Sequence, residues 1–197
     1  RAFPWLPPSW VLIVALVAVA ANLRPAIAGV PPLVPQIEAE LHLSNAWLGV
    51  LTLLPVLCMG IFAPLAHWAS TIWGSAPVVM AATVLLTIGS AMRLGGSNVV
   101  VLYTATLVVG IGIAVVGTLL PRLVKTLFPP ERVGLITGVY MLAIMLGATI
   151  GAGLSDPLAT ALGSWEQSLA AWSLLGVLGL VAWAPLALVV WRHRAQV

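Results

Sequence analysis

Six stretches of this 197-residue chain are long and apolar enough to cross a bilayer, and the segments between them are short. A spanning helix needs roughly 20 mostly apolar residues, because lipid offers no partner to a backbone N–H or C=O and a helix satisfies these groups internally. The runs are Ser9–Val30, Asn45–Ala66, Ala76–Met92, Asn98–Leu120, Val133–Leu154 and Gln167–Trp191. With 61% hydrophobic and 7% charged residues, a soluble domain of this size would have almost nothing to wet its surface. The predicted fold is an all-α polytopic membrane protein, a single six-helix domain over residues 1–197 surrounded by the lipid bilayer.

The connections carry most of the Pro, Ser and charge. The first is the best marked, from Pro31-Pro32 through Glu38, Glu40 and Ser44, with Ser44 or Asn45 as the expected N-cap of span two. The basic residues orient the chain. With the N-terminus in the cytoplasm, the inner side receives Arg1, Arg122, Lys125, Arg132, Arg192 and Arg194, and the outer side receives Arg93 with Glu38, Glu40, Asp156 and Glu166. Six basic residues against one predict both termini inside. The first run is long enough to span and no A-x-A site follows it, so it reads as a helix of the fold and not a cleaved signal peptide.

Within the first run, Trp10 to Ala21 holds no polar side chain, yet Asn22-Leu23-Arg24-Pro25 follows before any obvious turn. A guanidinium near the hydrocarbon costs a few kcal/mol, and such charges usually face a cavity or a partner. Pro25 removes a backbone donor and favours a kink beside that charge. Arg24 therefore has two readings, receiving an anionic or strongly polar group within a membrane pathway, or snorkelling to the headgroups.

Spans four and five are rich in small residues, Gly110, Gly112 and Gly117 in one and Gly138, Gly147, Gly151 and Gly153 in the other. This spacing suits close approach of helix backbones. Gly110-Ile111-Gly112 lies in a membrane span with no preceding strand, so a dinucleotide site is set aside. There is also an internal echo. Leu48-Gly49-Val50-Leu51-Thr52 opens span two and Val133-Gly134-Leu135-Ile136-Thr137 opens span five; Ala63-Pro64-Leu65-Ala66 and Asp156-Pro157-Leu158-Ala159 follow them. A three-helix unit repeated with opposite topology produces such an echo, and nested inverted repeats are common in transporter halves.

Other chemistries fit poorly. His42, His67 and His193 all lie at helix ends or in connections, so no deep serine has a histidine partner for intramembrane proteolysis. Cys58 is the single cysteine, which excludes a thiol pair, and no metal-ligand cluster is evident. No enzyme activity, cofactor or metal is expected. The eight basic residues form no patch, so no nucleic-acid partner is expected either. A six-helix structural or assembly protein, or an oligomeric channel subunit, remains open; the channel would need a polar stripe, and the threonines at 83, 87, 104 and 106 are scattered.

Several segments carry a resemblance. Asn22-Leu23-Arg24-Pro25, Pro32-Leu33-Val34-Pro35-Gln36-Ile37, Leu51-Thr52-Leu53-Leu54-Pro55-Val56, Arg93, Leu119-Leu120-Pro121, Gly134-Leu135-Ile136-Thr137-Gly138 and Trp183-Ala184-Pro185 resemble the cyanate/2-nitroimidazole transporter family of the major facilitator superfamily. The resemblance covers nearly the whole chain but only the N-terminal six-helix half of such a transporter. It implies alternating-access transport of a small polar or anionic solute across a bacterial inner membrane, driven by a proton gradient or by exchange. Spans one and four would line the cavity, with Arg24 and its neighbour Asn22 at the solute. Tyr140 would line the pathway or pack, Arg93 would be an outer-rim anchor, and a second six-helix half, a further copy or a separate chain, would supply the opposite wall. Two departures stand out. His67 to Gly74, between spans two and three, lacks the family's basic, aspartate-containing motif, and Ala152 with Ser155-Asp156 breaks the antiporter pattern begun by Gly138, Gly147 and Gly151.

Overall fold

The computed structural model describes residues 8–194, with side chains as far as residue 190; Arg1 and the side chains of Arg192, His193 and Arg194 lie outside what it describes. Span one is built of three pieces, α1 (Ser9–Asn22), α2 (Pro25–Ala28) and, after a 3₁₀ turn at Pro31–Leu33, α3 (Val34–Leu41). Span two is α4 (Asn45–Trp73), and span three is α5 (Ser75–Met92) with a 3₁₀ turn at Arg93–Gly95. Span four is α6 (Val99–Leu127), span five is α7 (Pro130–Leu162), and span six joins α8 (Trp165–Ala171) to α9 (Ser173–Arg194). Among the described residues, six helices are long and apolar enough to cross a membrane.

Most spans outrun their apolar cores. The connections expected at His67–Gly74, Pro121–Leu127 and Ser155–Leu162 are helical except for Gly74 itself. The interior prolines Pro55, Pro64, Pro121, Pro157 and Pro185 each remove one N–H without ending their helix. The chain stops instead where the backbone is forced out of the helix. α4 ends at Gly74 and α7 at Gly163, with φ of 89° and 87° that a side chain rarely tolerates. α6 ends at Phe128, held extended by the following Pro129. Ser44 takes the extended N-cap position of α4, but its side chain makes no cap bond. Asn98 does cap, accepting from the N–H groups of Val100 and Val101.

Span one differs most from the expected single run. Pro25 has no N–H to return to the Ala21 carbonyl, and the helix breaks at Leu23-Arg24. It restarts when the Arg24 carbonyl accepts from Ile27 and Ala28 at 3.0 and 2.8 Å.

The dominant helix contacts join span one to five and six, span four to two and three, and span three to six. Exchanging spans one, two and three for four, five and six returns the same set of pairs. Because successive spans cross in opposite directions, that exchange reverses each helix, and the bundle is two inverted three-helix repeats. Both crossings pack a proline against a glycine. Pro25 of span one meets Gly151 of span five, and Pro55 of span two meets Gly110 of span four. The main core runs through all six spans, from Leu12, Leu16 and Val19 to Trp183 and Leu186. A second cluster of Leu33, Ile37, Leu48, Leu51, Leu102 and Trp165 closes the end nearest the first connection.

Candidate functional site

The break in span one faces a cavity of about 260 Å³ lined by Leu23, Arg24, Met59, Ile113, Ala114, Gly117, Thr118, Met141, Ile144 and Met145. Four spans meet here: one, two, four and five. Sequence reasoning expected one and four; two and five join them because the inverted repeats place the crossings of span one on five and of two on four around a common centre. Among the described lining residues Arg24 is the only charged one, and it is half-buried. Thr118 spends its hydroxyl proton on the Ala114 carbonyl at 2.7 Å, so toward the cavity its oxygen can only accept. The rest is aliphatic or thioether. The chemistry on offer is one fixed cation in an apolar, adaptable pocket.

Of the other residues singled out in the sequence, Asn22 is the last residue of α1, two positions before Arg24. It is 1% exposed, and neither Oδ1 nor Nδ2 has a hydrogen-bond partner. Tyr140 lies in the main core and not among the cavity lining residues. Arg93 corrects the expectation of an outer-rim anchor. It is 0% exposed, and its Nη1 donates to the Ala26 carbonyl at 2.7 Å. The turn that carries it packs against α8 and α6, and the side chain turns inward onto span one rather than to the headgroups.

The break is packed directly against α7, which also contributes to the cavity lining. Gly147 faces the Ala21 carbonyl released by Pro25, Gly151 lies so close that an added Cβ would stand 2.6 Å from the Pro25 Cα, and Ser155 lies against Gly29. Ser155 donates to the Gly151 carbonyl at 2.7 Å and accepts from the Trp172 indole at 3.1 Å. Small residues four apart on α7 thus match Ala21, Pro25 and Gly29, also four apart, on span one. The glycines were legible as packing residues; their partner was not.

At the opposite end of the bundle, Arg122 of α6 donates to the Ser70 hydroxyl at 2.8 Å, and Ser70 donates to the His67 carbonyl at 2.7 Å. The end of α4 that lacks its own charges is thus tied by a basic residue from span four.

Six apolar helices in inverted repeats around a cavity with a lone cation define an integral membrane protein with the build of a transporter half. The chain belongs to the Major Facilitator Superfamily, whose family profile matches residues 6–196. It is 37% identical over 187 residues to the uncharacterised transporter YycB of Bacillus subtilis, covering 94% of this chain and 45% of that one. Against two proteins of Escherichia coli it is 34% identical to the 2-nitroimidazole transporter (93% of this chain, 45% of that one) and 30% identical to the cyanate transport protein CynX (87% and 44%). The chain therefore spans about half the length of the curated relatives it matches. Among solved structures, the peptide transporter POT superposes with a TM-score of 0.76 at 14% identity, covering 93% of this chain and 39% of that one. The xylose transporter XylE of E. coli superposes at 0.72 with 18% identity, covering 90% and 47%. At these identities the likeness is one of fold.

Proposed function

We propose that this chain forms one half of a secondary transporter that moves a small anionic or planar polar solute by alternating access, with Arg24 receiving the solute. One observation carries the reading: a single guanidinium, exposed by a break in its own helix, in a cavity with almost no other polar group. A polyhydroxylated solute would lose its hydration here without replacement, whereas a small anion with a flat or apolar body exchanges water for a charge-assisted contact and thioether packing. The names of the cyanate and 2-nitroimidazole relatives are consistent with that chemistry.

The half-cavity needs an opposite wall. α4 and α7 present exposed Leu53, Val56, Ile61, Leu142, Met145 and Ile150, a surface suited to a second six-helix half, from a further copy or a separate chain. The proposed setting is a bacterial inner membrane with both termini cytoplasmic. The test is uptake of labelled cyanate and 2-nitroimidazole into proteoliposomes. Wild-type protein should accumulate at least one of them. Arg24→Ala should bind roughly 10- to 100-fold more weakly, the loss of a hydrogen bond to a charged group, with unchanged melting. Wild-type uptake by Arg24→Ala would sink the proposal, and loss of the folded protein would assign Arg24 a structural role.

A further inference from the structure

A fully enclosed guanidinium is costly unless its charge and donors are met. Arg93 meets one acceptor, the Ala26 carbonyl; its Nε and Nη2 have no hydrogen-bond partner. The buried carboxylate of Glu166 is bonded to the Ser97 hydroxyl at 2.6 Å. What offsets the burial is local. Arg93 directly follows the last residue of α5, where helix carbonyls favour a cation. Its acceptor is one that the turn after α2 leaves free, since Val30, which would donate to Ala26 in a continuous helix, donates to Ile27 at 3.1 Å.

The consequence reaches the cavity. Ala26 lies in the four-residue helix α2, whose Ile27 and Ala28 N–H groups close on the Arg24 carbonyl. A force on Ala26 is therefore a force on the backbone of Arg24. On one flank α2 rests on Gly151 and Ser155; another is held by the bond from Arg93, 67 residues away in sequence.

We propose that Arg93 is the positioning residue of the span-one break: its bond to the Ala26 carbonyl holds α2 in the register that presents Arg24 to the cavity. This rests on reading Arg24 as the solute-binding residue, but its test needs no solute. Without that bond the Ala26 carbonyl, which Val30 has left for Ile27, would have no donor to anchor it, and α2 with the Arg24 backbone it closes on would be free to shift. Pro25 breaks the helix, and Arg93 fixes where α2 then sits.

The experiment is hydrogen–deuterium exchange of the purified chain in nanodiscs, following the peptide over residues 20–33 against peptides from α6 and α9. Arg93→Gln should speed exchange of the 20–33 peptide roughly 10- to 100-fold, the loss of one hydrogen bond to a charged group, and leave the α6 and α9 peptides within about twofold. Arg93→Lys, which keeps a charged donor on a long stem, should restore most of the protection. No change in the 20–33 peptide overturns the proposal, as does acceleration spread evenly over all spans. If Arg93→Lys too fails to fold, the residue holds the whole bundle and the proposal falls. Absence of cyanate or 2-nitroimidazole uptake would defeat the transport reading while leaving the exchange result to stand on its own.

Discussion

Gly147 of α7 lies against the carbonyl oxygen of Ala21 with no room for a side chain between them. Pro25 sets up that contact by having no N–H to offer Ala21, and the absence of a Cβ at 147 lets the freed oxygen reach the opposite backbone, where a Cα–H is the available weak donor. The bend in span one and the glycines of span five are one feature seen from two helices.

Gly147→Ala and Gly151→Ala should each destabilise the bundle by about 1–3 kcal/mol, the cost of forcing an extra methyl between backbones. Gly153→Ala is the control, because nothing lies within 4 Å of its added Cβ; it should be neutral or gain up to about 1 kcal/mol in helix propensity. Thermal melting of the three variants in one detergent checks the order.

Gly117 lines the cavity, and its added Cβ also meets nothing within 4 Å. Gly117→Leu should fold with an unchanged melting temperature while filling the space beside Arg24. Uptake of cyanate or 2-nitroimidazole should fall by at least about tenfold, as for a solute excluded from its pocket. Unimpaired uptake would move the solute site elsewhere.

Asn22 carries two buried polar atoms without partners. Replacing them by an apolar side chain of similar size removes a desolvation penalty, so Asn22→Leu should raise stability by about 1–3 kcal/mol. A parallel loss of uptake would show that the penalty is retained for transport. A drop in stability would mean that Asn22 finds partners that this conformation does not display.

Trp183 of α9 is fully buried and donates its indole N–H to the Ala76 carbonyl at 2.9 Å, tying span six to the start of span three. Trp183→Phe should cost about 1 kcal/mol for the lost hydrogen bond, plus the smaller ring's loss of contact. Trp183→Ala should cost about 3–5 kcal/mol by leaving a cavity. Chemical denaturation in mixed micelles would separate the two.

The span count and the helical class were legible because they depend on run length and on a lipid solvent that offers the backbone no partners, conditions that each segment meets alone. The inverted repeat was visible in the echo at Leu48–Thr52 and Val133–Thr137 because spans two and five exchange under the internal symmetry. Helix ends were less legible: His67–Trp73 and Ser155–Leu162 lack the long apolar pattern but continue helices that only Gly74 and Gly163 stop.

By itself, the sequence determined that this chain is a six-span membrane bundle with a cation and a proline at an unfavourable place in its first helix. Only the tertiary structure decided what those residues face. Arg24 opens onto a cavity because spans two, four and five converge beside it, and Arg93 turns inward because a carbonyl 67 residues away has lost its helical partner. Run length is a local property of the chain. The fate of a buried charge depends on which acceptor the packing brings within hydrogen-bond reach, and no spacing along the sequence encodes that distance.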